Sequence, residues 1–484
     1  MPDVDITLHY VIETAYAVLF DKENTYEEVS ADRHYAFQGE TVTVTGTPDN
    51  SVYAHDQLAC TVRSGSGEIE VTITEKDGTY TATFTMPEVQ VTVTPEFQME
   101  PVSYTEYSYS KANGLTSVRK TIVRYFPLLA SHDDLVLTDG DYVVAENTTF
   151  GGRVTVAKGS TVNLVVKAGA TLTCKGLGCG YDKNGQYATL NLFGDGRIES
   201  TAYAFEAGIG SAEYESNGNI TFHIASVEAT DGNQAAGIGG GRGSGTRGVY
   251  ITGGTVTAST TYKDSHGAGI GGGEGGGNTR EIVISGGNVT ATGAFGAAGI
   301  GGGDEANMKG TIRISGYSTQ VKATGGMGAG GIGAGRFITS GGDMRGTIII
   351  DCGAGSRIEA TGNGGLGYGS GTGIGEGHGG NMTGEVIIHG GNLYITAGDH
   401  AAGIGGGSEE SKNGGEGDDV TINGGYIEII NILSGAEASG HGDDDSKSGT
   451  VRLPDHLRVT VGGEPVNVPT ARINATAGTT ARSS

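Results

Sequence analysis

A short glycine-rich phrase returns along most of the chain and constrains the fold more than any other feature. The phrase is centred on Gly-Ile-Gly, and successive copies lie about 30 residues apart, a period typical of solenoids and other repeat arrays. Its isoleucines are Ile209, Ile238, Ile270, Ile300, Ile332, Ile374 and Ile404. The 91 glycines come with only 9 prolines and no strict three-residue period, which excludes collagen. Interleaved Val, Ile and Thr argue against glycine-rich disorder.

Each repeat contains two further segments with the alternation of β-strands. GVYITGG at 248–254 and EIVISGG at 281–287 represent the first segment, and TVTAS from Thr255 and NVTAT from Asn288 represent the second. Alternate residues are branched aliphatics or alanines, and glycine pairs between the segments indicate corners. We therefore predict an all-β fold, a right-handed parallel β-helix of about ten coils, with three short strands in each coil of about 30 residues.

The first part of the chain has a different composition, with few glycines and cleanly alternating strands such as Thr41–Thr45 and Tyr80–Phe84. We predict a small N-terminal β domain ahead of the β-helix. The predicted boundaries are 1–98 for this domain, 99–131 for a linker or strap, 132–470 for the parallel β-helix and 471–484 for a C-terminal tail.

Charge and cysteine content limit the partners. The chain has 30 basic and 55 acidic residues, so its formal charge of −25 repels phosphate backbones and anionic lipids, and we expect no nucleic-acid partner. The apolar stretch from Ala15 to Phe20 is too short for a signal-peptide core or a membrane span, so we expect no membrane insertion of this chain. Cys174 and Cys179 lack a zinc-type spacing, which leaves a local disulfide and free thiols both open.

Two parts of the sequence resemble known families. GETVTVTGTPDN at 39–50, followed by EKDGTYTATFTMPEVQVTVTPEF at 75–97, resembles divergent internalin-type B-repeat modules of bacterial surface proteins. Residues 134–431 are similar to the glycine-rich AGIGGG and ITGGTVTATG β-solenoids of surface proteins from Gram-positive, gut-type bacteria. The resemblance implies an extracellular or cell-wall-attached protein, adhesin-like or carbohydrate-binding, with glycans or host and cell-surface macromolecules as partners. The chain itself shows neither a signal peptide nor a wall-sorting motif.

The sequence favours a protein without catalysis. Parallel β-helices also carry polysaccharide lyases and glycoside hydrolases, so an enzyme acting on an acidic, pectin-type glycan is the alternative. Gly377-His378-Gly379 and Gly440-His441-Gly442 match one fragment of polygalacturonase-like sites, but the other elements of such sites are missing. We therefore assign no catalytic residue.

Polar and aromatic residues recur at outward positions of the predicted strands. The outward column of the second strand runs through Thr257, Thr290, Lys322, Glu359, Tyr394 and Glu428, and a corner column runs through Thr252, Ser285, Ser315, Asp351, His389 and Asn423. A ladder of this kind could follow a repeating polymer or could be an ordinary solvent face, and both readings stay open. The predicted ligand-binding residues are Tyr394, Tyr426, His389, Asp351 and Glu359.

Acidic residues often follow the Gly-Ile-Gly phrase, where stacked loops can bring carboxylates together as Ca²⁺ requires. The predicted metal ligands are Asp304, Glu305, Asp443, Asp444 and Asp445, for a structural calcium. Arg242 and Arg336 occupy equivalent places, which favours solubilising charge instead. We predict no other cofactor.

Overall fold

The computed structural model describes most of the chain, and every regular element in it is a β-strand. The described residues are 13–21, 28–47, 57–65, 67–76, 79–98, 101–110, 114–123, 125–181, 185–260, 265–336, 342–364, 369–378, 380, 382–408, 420–430, 437–440, 451–452, 457–461, 464–466, 473–474 and 479–483. Within these ranges no helix is long and apolar enough to cross a membrane.

The chain divides into two compact units, residues 1–102 with 121–127 and residues 103–120 with 128–484. In the first unit, alternating strands bury Val42, Val44 and Phe84 in a small core between two sheets. The five-stranded sheet has the order Tyr35–Phe37, Ala15–Phe20, Val91–Gln98, Gln57–Ser64 and Gly67–Ile69. The four-stranded sheet has the order Glu28–Ala31, Thr41–Thr47, Thr79–Thr85 and Thr72–Lys76, and Phe126–Pro127 is a further short strand.

The second unit contains a parallel β-helix with three faces, as the repeat predicts. Face 1 comprises Gly140–Val144, Thr161–Val166, Thr246–Ile251, Asn278–Ile284, Thr311–Gly316, Thr347–Cys352, Glu385–Gly390, Val420–Ile422 and Val451–Arg452. Face 2 comprises Thr148–Thr149, Thr171–Cys174, Thr255–Ser259, Asn288–Thr292, Gln320–Met327, Arg357–Asn363, Asn392–Thr396 and Tyr426–Ile430. Thr189–Thr201 and Asn219–Thr230 run through both faces and join them into one sheet.

Face 3 is a separate sheet of much shorter strands. It comprises Leu135–Leu137, Val154–Val156, Leu177–Cys179, Ile209–Gly210, Ile238–Gly239, Ile270–Gly271, Ile300–Gly301, Ile332–Gly333, Ile374–Gly375, Ile404–Gly405, Glu437–Gly440 and Ile473–Asn474. From Leu135–Leu137 to Ile404–Gly405 the described strands stack in parallel and in register. The prediction of a parallel β-helix is confirmed, whereas its right-handed winding stays a prediction from the crossover rule.

The interior is a set of aliphatic columns that run along the axis. On face 1, Ile282, Ile312 and Ile348 are in register and fully buried. On face 2 the same holds for Val289 and Val321. Each fully buried side chain of this kind stabilises the fold by about 1.5–3 kcal/mol, so the repeated columns supply most of the driving force.

Glycine is required inside the face 3 strands and not only at their corners. Gly239 has a φ of +133°, and a Cβ at that position would overlap the carbonyl oxygen of Gly271 in the next coil. Gly271 stands in the same relation to Gly301. The preceding isoleucine of each phrase is fully buried. The Gly-Ile-Gly phrase therefore follows from the close approach of one coil to the next.

A hairpin and a set of antiparallel strands complete the second unit. The hairpin consists of Val102–Ser110 and Gly114–Ile122, and its part within 103–120 belongs to the β-helix unit. Tyr104 of the hairpin lies 4.6 Å from Phe193, ring centroid to ring centroid.

At the C-terminal end of the second unit, Thr479–Ser483 pairs antiparallel with Tyr426–Ile430 and Leu457–Val461, and Glu464–Val466 also pairs with Leu457–Val461. Antiparallel strands at this end occupy edges that would otherwise be open to other chains.

The four cysteines are free and buried. The Cys174 Sγ lies 3.4 Å from Ser200 Oγ, and burial raises the pKa of Cys179 and of Cys352 to about 12. Of the two alternatives that the sequence left open for Cys174 and Cys179, the structure has the free thiols. Thiols of this kind are not reactive nucleophiles near neutral pH.

Candidate functional site

Two of the predicted ligand-binding tyrosines lie together on the outside of face 2. Tyr394 and Tyr426 belong to neighbouring coils, and their ring centroids are 5.8 Å apart at an interplanar angle of 55°. The guanidinium carbon of Arg357, from the preceding coil, lies 3.6 Å from the centroid of the Tyr394 ring. Three coils therefore contribute to one aromatic and cationic surface.

Two carboxylates hold this surface in place. Arg357 Nε donates to Glu359 Oε1 at 2.6 Å, and the Tyr426 hydroxyl donates to Glu428 Oε2 at 2.8 Å. We call Arg357, Glu359, Tyr394, Tyr426 and Glu428 the face 2 cluster. Its side chains are ordered by contacts with one another, so little rotamer entropy is left to lose when a ligand binds.

Three members of the face 2 cluster, Glu359, Tyr394 and Glu428, belong to a longer row of outward side chains. The pairing register places the residues of the predicted column opposite one another, coil after coil: Thr257, Thr290, Lys322, Glu359, Tyr394 and Glu428. Hydrogen-bonded neighbours in a sheet are about 4.8 Å apart, so the row is straight and evenly spaced.

His389 and Asp351, the other predicted ligand-binding residues, lie at the corner between face 1 and face 2. His389 Nδ1 is 3.0 Å from Asn423 Nδ2 in the next coil. Asp351 is opposite Ser315 on one side, and a register shift places it opposite Gly390 on the other. The structure thus brings Tyr394, Tyr426 and Glu359 together. It keeps His389 and Asp351 at the corner, where the predicted column is wrong at one step because the register shift prevents Asp351 from lying opposite His389.

The predicted metal ligand Asp304 is buried and bound to two cationic or basic side chains. Its carboxylate accepts hydrogen bonds from Arg336 Nη2 at 2.7 Å and from Arg336 Nε at 3.1 Å, and its Oδ2 lies 2.7 Å from His266 Nδ1. Phe295 covers the pair, with the Arg336 guanidinium carbon 4.3 Å from its ring centroid. The hydrogen bond to Asp304 raises the pKa of His266. Asp304 therefore joins successive coils through protein partners.

Glu305, the next predicted metal ligand, is exposed and has a φ of +57°. Its backbone N–H donates to the carbonyl oxygen of Arg336 at 2.6 Å. Asp443, Asp444 and Asp445 lie outside the described residues. In the part of the chain that the structure describes, no group of three or more His, Cys, Asp or Glu side chains is arranged to hold a metal ion. Structural calcium stays a prediction.

His378, from the polygalacturonase-like fragment, packs against Gly369, where a Cβ would overlap the imidazole ring. Its backbone N–H donates to the carbonyl oxygen of Gly328 at 2.7 Å. Gly379, His441 and Gly442 are outside the described residues. The His378 ring thus fills space that a glycine leaves open.

A cavity of about 350 Å³ on face 3 was not predicted from the sequence. Its charged lining consists of Arg153 paired with Glu206 and Lys158 paired with Glu215. The partners of the two pairs are 53 and 57 residues apart in the chain, which is close to two coils. Opposite charges at about twice the repeat period are the sequence signal for such pairs, but the irregular coil lengths here do not tell which charges converge.

The comparison with protein families agrees with this geometry. Residues 249–274 and 282–304 match the family model described as a beta helix repeat. No curated protein and no solved structure shows significant similarity to the chain. The match supports a β-solenoid of the kind found in surface or carbohydrate-related proteins, and it does not choose between an adhesin and an enzyme.

Proposed function

We propose that this chain is a non-catalytic, extracellular bacterial surface protein, adhesin-like, whose β-helix binds carbohydrate along face 2. The observation that carries the proposal is the face 2 cluster, in which Arg357, Tyr394 and Tyr426 from three coils form one ordered surface. The resemblance of the repeats to glycine-rich surface solenoids supports the location, outside the cell or attached to its wall.

The chemistry of the cluster suits a glycan. An aromatic ring offers an apolar face to the C–H groups of a sugar, and arginine and glutamate offer hydrogen-bond donors and acceptors to its hydroxyls. Even spacing of about 4.8 Å along the row lets a linear polymer meet polar or aromatic side chains at equivalent positions of successive coils. The partners that follow are glycans of host or bacterial surfaces.

A glycan array with the full chain, followed by titration of the best ligand, tests the proposal. We expect Tyr394→Ala to weaken binding at least about tenfold, because truncation of a central aromatic anchor costs about 2 kcal/mol or more. Tyr187→Ala is the matched control. Tyr187 also lies against an arginine, with Arg247 5.1 Å from its ring centroid, but it is not part of the face 2 cluster.

Two results would contradict the proposal. One is unchanged binding by Tyr394→Ala when Tyr187→Ala is also unchanged. The other is release of unsaturated or reducing ends from acidic polysaccharides, measured on the same preparations, which would support the lyase or hydrolase alternative.

A further inference from the structure

The face 3 cavity lies where equivalent positions of three successive coils change from threonine to glycine. Thr155 is in register with Gly178, and Gly178 is in register with Gly210. A Cβ at Gly178 would lie only 2.8 Å from Thr155 Oγ1 and 2.9 Å from Arg153 Nε, so the absent side chain of Gly178 is what lets these two side chains form one wall of the cavity. The resulting volume of about 350 Å³ is at the lower end of the range for ligand pockets, about 300–1,000 Å³. We call it the face 3 pocket.

The charges that line the face 3 pocket balance. The Arg153 guanidinium binds the Glu206 carboxylate and donates to the Gly210 carbonyl oxygen at 3.2 Å. Lys158 Nζ lies 2.5 Å from Glu215 Oε1. The Arg153 side chain is only 13% exposed, which fixes this wall, whereas Lys158 and Glu215 are 40% and 34% exposed and reach the solvent.

Balanced pairs favour a neutral ligand. An anion would have to compete with Glu206 and Glu215 for the two cations, in a chain whose formal charge is already −25. A cation would meet the opposite obstacle at Arg153 and Lys158. A neutral polyol can use the remaining N–H groups and carboxylate lone pairs without breaking either ion pair.

An ordered tyrosine stands beside the lining residues. Tyr214 lies between Ala212 and Glu215, which both line the pocket, and it is 70% exposed. Its φ of +58° is unusual for a bulky residue, and such conformations persist where the surroundings enforce them.

The surroundings of Tyr214 do enforce its position. Arg242 Nη2 donates to the Tyr214 hydroxyl oxygen at 3.0 Å, and a Cβ at Gly243 would lie 2.5 Å from the ring carbon Cδ1. The absent side chain at Gly243 is thus what admits the ring. These contacts fix the path of the segment that carries the lining residues Ala212 and Glu215.

We propose that the face 3 pocket binds one neutral sugar unit, at the end of a glycan or as a free monosaccharide. The size admits a single ring, the two ion pairs supply hydrogen bonds to hydroxyls, and Ala157 and Ala212 of the lining supply apolar contacts. The site is on a different face from the face 2 cluster and does not depend on it.

Titration of the full chain with methyl glycosides of neutral hexoses and N-acetylhexosamines tests this proposal, with glucuronic acid and glucosamine as charged probes. We expect a neutral glycoside to bind and Glu215→Ala to weaken its binding at least about tenfold, as expected when about 1.4 kcal/mol or more is lost. Glu228→Ala is the matched control, since Glu228 forms a comparable ion pair with Arg197 at 2.6 Å on face 2. Lys158→Met, which keeps the aliphatic stem, serves as a second variant if Glu215→Ala lowers the melting temperature.

The proposal is overturned if no neutral glycoside binds, if glucuronic acid or glucosamine binds as tightly as the best neutral glycoside, or if both pocket variants bind like the unmodified chain. Tyr394→Ala separates this result from the test of the face 2 cluster. Unchanged monosaccharide binding by that variant supports an independent pocket, and a tenfold loss would place the sugar on face 2 and contradict it.

Discussion

Face 3 and face 2 belong to the same coils, yet different constraints act on the residues that lie between their buried core side chains. On face 3 the column through Gly271, Gly301 and Gly333 is glycine because each Cβ would overlap the carbonyl oxygen of the next coil. On face 2 the column contains threonine, lysine, glutamate and tyrosine at the same coil spacing, as at Thr290 and Lys322. On face 3 the close contact between backbones requires glycine. On face 2 the corresponding positions accept many kinds of side chain, which can form a binding surface.

The largest effect is expected from adding one methyl group on face 3. Gly301 has a φ of +140°, and its Cβ would meet the Gly333 carbonyl oxygen, which is backbone and cannot move aside without breaking the ladder. We expect Gly301→Ala to destabilise the β-helix by more than about 5 kcal/mol, in the class of exceptional substitutions. Chemical denaturation and amide hydrogen exchange at Ile300–Gly301 measure it.

Thr290→Ala is the control for this comparison. It removes side-chain atoms from an outward position of face 2, where surface substitutions change stability by about 0.5 kcal/mol or less. Similar losses of unfolding free energy for Gly301→Ala and Thr290→Ala would show that face 3 does not require glycine more strictly than face 2 requires its own side chains.

The next effect concerns the corner that follows face 3, where two aspartate–arginine pairs differ in burial. Asp304 and Arg336 have side chains that are each only 3% exposed, whereas Arg345, paired with Asp343 at 2.7 Å, is 52% exposed and its partner is 11% exposed. The Arg345 end of the second pair is therefore in solvent, which screens the interaction. Removal of one partner from a buried pair leaves an uncompensated charge and costs about 3–5 kcal/mol. Exposed pairs contribute about 0–1 kcal/mol.

Arg336→Met should therefore destabilise the β-helix by about 3–5 kcal/mol, and Arg345→Met by no more than about 1 kcal/mol, as measured by chemical denaturation. The double variant Arg336→Met with Asp304→Asn should recover part of the loss, because it also removes the buried carboxylate charge. Equal losses of unfolding free energy for the two arginine variants would mean that burial does not determine how much each ion pair stabilises the fold.

The repeat period was enough to predict the outward column of face 2, but not the corner column, which a register shift interrupts at Asp351. The column from Thr257 to Glu428 was predicted correctly, since hydrogen bonding between coils places equivalent residues opposite one another. The contact of Asp304 with Arg336 was not predicted, although both were known to occupy equivalent corners. Whether two corner side chains meet depends on the path of each loop, which the period does not contain.

The face 3 pocket is harder to predict from the sequence. It depends on pairs two coils apart, Arg153 with Glu206 and Lys158 with Glu215. The basic partners precede the first Gly-Ile-Gly phrase, and the acidic partners flank it. The pocket also depends on Gly178, whose missing side chain leaves room for the side chains of Thr155 and Arg153. Without a consistent repeat in this region, no alignment of one coil on another predicts which side chains converge.

The smallest expected effect compares two histidines that titrate in opposite senses. His266, next to the face 3 corner, lies beside Asp304, Glu274 and Arg336, and its hydrogen bond to Asp304 raises its pKa. His223 stacks on Phe193 with ring centroids 4.9 Å apart, and burial lowers its pKa although Glu106 acts in the other direction.

The two shifts predict opposite pH dependence. For His266, the folded pKa lies above the unfolded value of about 6.5, so its contribution to stability is full below that value and is lost as the pH rises through the folded pKa. For His223, the folded pKa lies below the unfolded value, so the neutral form stabilises the fold and this contribution is lost as the pH falls.

Melting temperatures of His266→Gln and His223→Gln, each measured from pH 5 to 8 against the unmodified chain, check these signs. His266→Gln should cost more stability at pH 5 than at pH 8, because it removes a contribution that is present only when the ring is protonated. His223→Gln should cost more at pH 8 than at pH 5. The same sign of slope for both variants would contradict the assignment of a charged histidine to the face 3 corner and a neutral one beside Phe193.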